Sequence, residues 1–132
     1  MRQFAFRLTR GQDIYNSIFE FCKTNDISAG VIASAIGCVS QAKIRDAGGK
    51  EIHTILEPLE IVSIIGTVSK NRLHIHSSFS KEDLSTIGGH MVEGCIVNTT
   101  CEIVILEMEN YSFEKEFDTT TGYNELLIKN IK

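Results

Sequence analysis

The sequence predicts an α+β domain with a largely antiparallel or mixed β-sheet. Two observations carry that expectation: segments patterned as strands outnumber those patterned as helices, and most connections between them are short. At 132 residues, a single domain over residues 1–132 is expected, because two would each be too small to bury a proper core.

The elements follow in order. Met1 to Leu8 alternates Phe4, Phe6 and Leu8 against Arg7 and reads as a strand. Thr9 to Gln12 is a turn. Asp13 is then a plausible N-cap for an amphipathic helix that places Ile14, Ile18, Phe19 and Phe21 or Cys22 at helical spacing up to Asn25. Ser28 to Ser40 is rich in small and β-branched residues, as in a strand buried on both faces or packed closely under a helix. Gln41–Asp46 and Lys50–Glu57 form a hairpin around Ala47-Gly48-Gly49. Leu59 to Val68 is a strong strand, and Lys70-Asn71 turns into another from Arg72 to Phe79.

Ser80 to Asp83 resembles a weak capping-box entry to a short helical turn that Gly88-Gly89 ends. Gly94 to Tyr111 holds one or two long strands, richest at Cys101 to Leu106. Tyr111 to Phe117 alternates again, and Tyr123 to Ile128 is a short strand or a terminal helix.

Composition narrows the function classes. The chain is 42% hydrophobic and 23% charged, with a formal net charge of −4. That is ordinary globular composition, and its acidity argues against non-specific nucleic-acid binding, which needs a basic face. No apolar run approaches a membrane span, and the N-terminus has no apolar signal core. Cys22, Cys38, Cys95 and Cys101 are scattered without a C-x-x-C pair. They read as reduced, mostly buried thiols, and the expected location is cytoplasmic.

Histidines carry the chemical signal. His74-Ile75-His76 presents two imidazoles on one face of a strand, because side chains two apart share a face. The short excursion from Ser80 to Gly89 is expected to return His90 beside them, with Gly88 and Gly89 allowing a tight turn. Three neutral imidazoles with a fourth position open is the donor set of exchangeable or catalytic zinc. Nickel, copper, manganese or iron would also be accepted. The alternative is that the histidines are simply polar residues on a solvated face.

Other residues are weaker candidates. His53 reads as an unpartnered surface residue. Glu60 and Glu102 lie in apolar strands, where each could orient a histidine, act as a base or face water. Arg72, just before His74, could neutralise an anionic ligand near a metal, or merely sit at a strand entry. Neither Cys95 nor Cys101 has a base nearby in sequence, and the glycines form no phosphate loop.

Gly66-Thr67-Val68-Ser69, Leu73-His74-Ile75-His76 and Gly88-Gly89-His90 together resemble the plants and prokaryotes conserved (PPC) domain. Arg7-Leu8, Gly11, Gly30 to Gly37 and Thr121-Gly122-Tyr123 agree as well, so the resemblance runs from Phe6 to Leu127. It implies a sandwich-like fold with a mainly antiparallel sheet and one principal helix, homotrimeric assembly, and a metal site, usually taken as zinc, at His74, His76 and His90. A trimer would also cover apolar edge strands, for which Ile103 to Leu106 is the candidate.

Broader structural relatives of the family include zinc-dependent decarboxylase and ester-hydrolase domains, which makes a zinc-dependent hydrolase or decarboxylase one alternative. A second is a DNA-binding or transcription-related regulator, as for plant members that carry AT-hooks. This sequence has no Arg-Gly-Arg-Pro element, so DNA contact of that kind is not expected. Where plant members have Gly-Arg-Phe-Glu-Ile-Leu for partner contacts, it has Glu57-Pro58-Leu59-Glu60-Ile61-Val62. The principal expectation is a stand-alone, trimeric metal-binding domain, with a small anionic ligand as a further candidate partner.

Overall fold

Apolar alternation and short turns organise the chain into nine strands and one helix in the computed structural model, which describes residues 1–132. Strand β1 (Gln3–Thr9) pairs antiparallel with β7 (Ile96–Glu107), setting Phe4 against Ile105 and Leu8 against Cys101. Helix α1 (Ile14–Thr24) buries Ile14, Ile18 and Cys22, one residue per turn along a single stripe. Asp13 caps it as expected: one carboxylate oxygen accepts the Asn16 N–H at 2.9 Å, and the other accepts the Gly94 N–H at 2.7 Å. The cap therefore also ties the helix to the approach to β7. Phe21 stacks on Phe6 with ring centroids 3.9 Å apart, fastening the helix to β1.

Strand β2 (Gly30–Arg45) is the spine of the sheet. It pairs with β7 on one side and with β4 (Leu59–Val68) on the other, while β3 (Ile52–Ile55) pairs with its far end. Register shifts after Ile32, Gly37 and Val39 bend it. At Gly37, φ is +144° and a Cβ would lie 1.9 Å from the Thr100 carbonyl oxygen, so only glycine fits this bend.

Strand β4 continues into β5 (Leu73–Ser80) and β6 (Thr86–Met91), giving the order β1-β7-β2-β4-β5-β6. The sheet then curls, and β6 returns to the end of β2 by pairing Ile44 with Met91 and Arg45 with His90. Phe79, Ile75, Met91, Val39 and Val97 fill the core inside this curl. Strands β8 (Tyr111–Asp118) and β9 (Tyr123–Asn130) form a separate two-stranded hairpin.

Three local expectations are corrected. Ser80 to Asp83 starts no helical turn. The Asp83 carboxylate instead accepts from the Ser85 N–H at 2.9 Å, a local bond that competes with helix formation, and Leu84 takes φ +71° in a strand-to-strand turn. Gly88 and Gly89 lie inside β6 rather than ending a helix. Ile103 to Leu106 is not an edge, because β7 sits between β1 and β2 and buries Ile103 and Ile105. The C-terminal segment resolves as strand β9, paired along its length with β8.

Candidate metal centre

Strand β5 turns Ile75, Ser77 and Phe79 into the core and leaves His74 and His76 on the outer face. The β5–β6 register places His90 directly opposite His76. The three ring centroids are 5.1, 5.3 and 5.6 Å apart, and a nitrogen from each ring lies within 4.8 Å of the others. A tetrahedral ion at a Zn–N distance of ~2.0–2.1 Å sits ~3 Å from each ring centre, which puts the centres ~5 Å apart. The spacing fits that arrangement. His90 Nδ1 is moreover buried without a hydrogen-bond partner, the kind of orphaned atom a ligand would satisfy.

The glycines before His90 serve a purpose other than turning. A Cβ on Gly88 would lie 2.4 Å from the Ser77 carbonyl oxygen, and one on Gly89 would lie 2.6 Å from Ile44 Cγ2. Both positions need glycine because neighbouring strands approach too closely for any side chain. That approach is what brings β6, and His90 with it, against β5 and the end of β2.

Electrostatics favours the neutral, ligating form of two of these rings. Burial lowers the pKa of His90 to about 4, aided by the positive charge of Arg45 and then by His74, His76 and Arg72. His74 is lowered by burial, then by Arg72, His76 and Arg45, with Glu125 opposing. Metal binding at neutral pH would therefore displace few protons from either ring.

A cavity of about 350 Å³ adjoins the histidines and is lined by His74, His90, Arg45, Arg72, Tyr123 and Glu125 among others. Arg72 is thus placed beside His74, as its sequence position suggested. The carboxylate at this cavity is Glu125, on β9, and sequence reasoning missed it. Glu60 and Glu102 are not there. Glu60 is exposed and pairs with Ser80 at the opposite end of the β4–β5 ladder from the histidines, and Glu102 is exposed opposite Arg7 on β7. Position within an apolar strand gave both their interest, whereas the cavity wall is formed by a hairpin distant in sequence.

Remaining candidates fall away from the site. His53 is exposed but not unpartnered: its Nε2 lies 2.8 Å from Asp46 Oδ2, with Glu51 at 3.9 Å. All four cysteines are free, and burial raises the thiols of Cys22 and Cys101 to about 12 and that of Cys95 to about 11. No helix is long and apolar enough to cross a membrane.

Comparison with known proteins decides the family. The model of the Plants and Prokaryotes Conserved (PCC) domain matches residues 1–109. The chain belongs to this family. A hypothetical protein from Salmonella enterica is 32% identical with a TM-score of 0.94, covering 98% of this chain and 94% of that one. The metal-containing protein AF0104 from Archaeoglobus fulgidus is 34% identical with a TM-score of 0.79, covering 96% of this chain and 94% of that one. The Bifunctional protein GlmU of Synechococcus sp. (strain JA-3-3Ab) is 34% identical over 131 residues, which are 99% of this chain but 21% of that protein. The chain thus spans about a fifth of the length of the curated relatives it matches.

Proposed function

We propose that this PCC domain binds a divalent transition metal, zinc in the first instance, through ring nitrogens of His74, His76 and His90. The observation that carries the reading is the convergence of three imidazoles, 5.1 to 5.6 Å between ring centroids, from two paired strands. The Archaeoglobus fulgidus relative, described as metal-containing, supports it. Three protein ligands leave a position open on a tetrahedral ion, which is the arrangement in which a bound ion polarises a carbonyl or activates water.

Self-association as a homotrimer is the second part of the proposal. Support for self-association comes from the sheet's outer face, where Ile36, Val62 and Ile65 are 57–61% exposed on the neighbouring strands β2 and β4. Ile65 is the register partner of His76, so a covering subunit would also close over one rim of the histidine cluster. The number three follows the family resemblance.

Metal content per chain by plasma mass spectrometry, on untagged protein beside a variant with all three histidines changed to Ala, tests the first part. Near-stoichiometric metal in the wild type and its loss in the variant is the expected result; no metal in either, even after reconstitution, refutes it. Sedimentation at micromolar concentration tests the second, and a monodisperse monomer removes it.

A catalytic reading is favoured by one observation, the carboxylate of Glu125 at the same cavity as His74 and His90. Metal-assisted hydrolysis or decarboxylation needs such a group as acid or base beside the ion. Loss of turnover in E125Q at unchanged metal content is its test.

A further inference from the structure

Two half-buried guanidinium groups beside the histidines each hold one nitrogen that has no hydrogen-bond partner. Arg45 Nε and Arg72 Nη1 are buried atoms without a hydrogen-bond partner, and neither residue takes part in any of the molecule's ion pairs. Both line the cavity that His74 and His90 border. Their placement is built into the fold. Arg45 is the register partner of His90 across β2 and β6, and Arg72 ends the turn that leads into His74. Leaving buried guanidinium donors unsatisfied forfeits their hydration, so a site that keeps two of them at one cavity is organised for an acceptor that comes from outside.

Charge gives the sign of that acceptor. Arg45, Arg72 and Lys115 face a single carboxylate, Glu125, around the cavity, in a chain whose net charge is −4. A divalent ion on the histidines would add to the excess. An electropositive pocket in an acidic protein concentrates anions, and the planar guanidinium fork matches a carboxylate by paired hydrogen bonds.

Size and walls narrow the ligand further. At about 350 Å³ the cavity takes only a small molecule, and Tyr15, Phe19 and Tyr123 give it aromatic walls suited to a short carbon skeleton. Arg45 carbon Cζ lies 5.7 Å from the centre of the Tyr123 ring, so that guanidinium is backed by an aromatic face. Glu125 opposes a compact dianion such as phosphate by like-charge repulsion, and tolerates a monoanion better.

We propose that Arg45 and Arg72 form a carboxylate-binding site on the rim of the three-histidine centre. Its ligand class is small 2-oxo or 2-hydroxy acids, with the carboxylate on the guanidiniums and the neighbouring oxygen at the open position of the metal. The inference deepens the metal-binding reading and rests on it.

Calorimetric titration of the zinc-loaded full chain with 2-oxobutyrate, 2-butanone and inorganic phosphate tests the proposal. Zinc content is measured on every sample. The expected result is binding of 2-oxobutyrate, at least tenfold weaker in R45Q and in R72Q at unchanged zinc content, with R45K and R72K in between. The ketone, which lacks the carboxylate, does not bind, and phosphate binds more weakly than 2-oxobutyrate.

Absence of 2-oxobutyrate binding to zinc-loaded wild type overturns the carboxylate site while leaving the metal reading standing. Undiminished binding in both glutamine variants does the same. Phosphate binding as tight as 2-oxobutyrate overturns the ligand class. Wild-type protein that takes up no zinc overturns both readings at once. Should R45Q lose zinc through its contact with His90, R72Q and the two lysine variants decide the question.

Discussion

His76 and His90 are register partners across the β5–β6 ladder, with ring centroids 5.6 Å apart. His74 occupies the adjacent outward position on β5, so every candidate ligand is held by strand hydrogen bonds and none by a loop. Replacing any one of the three with Ala leaves two ligands on an ion that needs three from the protein. Zinc affinity is expected to fall by more than the ~10–100-fold typical of losing an outer-shell partner. Competition with a chromophoric chelator measures it, and an unchanged affinity in any single variant would exclude that residue as a ligand. Folding should be little affected, because His74 and His76 are exposed.

Gly88→Ala tests the close approach of β5 and β6. The new methyl would meet the Ser77 carbonyl oxygen at 2.4 Å and Ser78 Cα at 3.0 Å, both backbone atoms that cannot step aside without parting the strands. A stability loss of about 1–3 kcal/mol is expected from such overpacking. Because His90 follows two residues later on β6, zinc affinity should fall as well, although no ligand has been removed. Urea denaturation with and without zinc measures both effects. A variant with normal affinity would show that β6 can shift without moving His90.

The depressed pKa of His90 makes a signed prediction for the metal-free protein. In the unfolded chain the ring takes up a proton near 6.5, whereas in the folded chain it resists protonation until about 4. Between those values the unfolded state binds more protons, so stability falls as pH drops through that window. Above it, the contribution of His90 is fully present. His74, lowered in the same direction, adds to the trend. The unfolding temperature of metal-free wild type is expected to decline from about pH 6.5 towards 4, and more steeply than that of the variant H90A. Equal slopes in the two proteins would refute the assignment to this residue.

The individual strands were legible because their alternation is regular: Leu59 to Val68 and Leu73 to Ser80 appear within a residue of their expected bounds. The helix was equally plain from Asp13 and the spacing of Ile14, Ile18 and Cys22. The histidine cluster could be foreseen from the period of a strand, since His-x-His fixes a face and a short hairpin must return beside it. Two kinds of feature were not legible. The role of Gly88-Gly89 depends on how closely strands approach, and sequence shows only that glycine is permitted there. The cavity depends on the β8–β9 hairpin folding over the site, which brings in Glu125 and Tyr123, and on β2 curling to meet β6, which sets Arg45 beside His90. Neither closure leaves a local pattern. Glu60 and Glu102 attracted interest for the opposite reason, a local pattern with no tertiary partner.

Ser69 shows how the turn before β5 sets up the cavity, and it supplies the last prediction. Its side chain is fully buried, with the hydroxyl donating to the Phe113 carbonyl at 2.9 Å and accepting the N–H groups of Asn71 and Arg72, each at 3.1 Å. The Ser69 N–H donates in turn to the Arg72 carbonyl at 2.8 Å. One hydroxyl therefore fixes the backbone of Arg72 and joins the β4–β5 turn to β8. Ser69→Ala would strip the Asn71 N–H and the Phe113 carbonyl of this hydroxyl and leave the Arg72 N–H with only the Ser69 carbonyl at 3.4 Å, at a cost of about 1–3 kcal/mol. His76 and His90 are held by the β5–β6 ladder and His74 by the β4–β5 ladder opposite Thr67, instead of by this turn, so zinc affinity should change by less than about tenfold while binding of 2-oxobutyrate weakens more. Parallel titrations of zinc and of 2-oxobutyrate into S69A distinguish the two effects. Equal losses in both would mean that the turn supports the whole site, and that Arg72 has no separately positioned role.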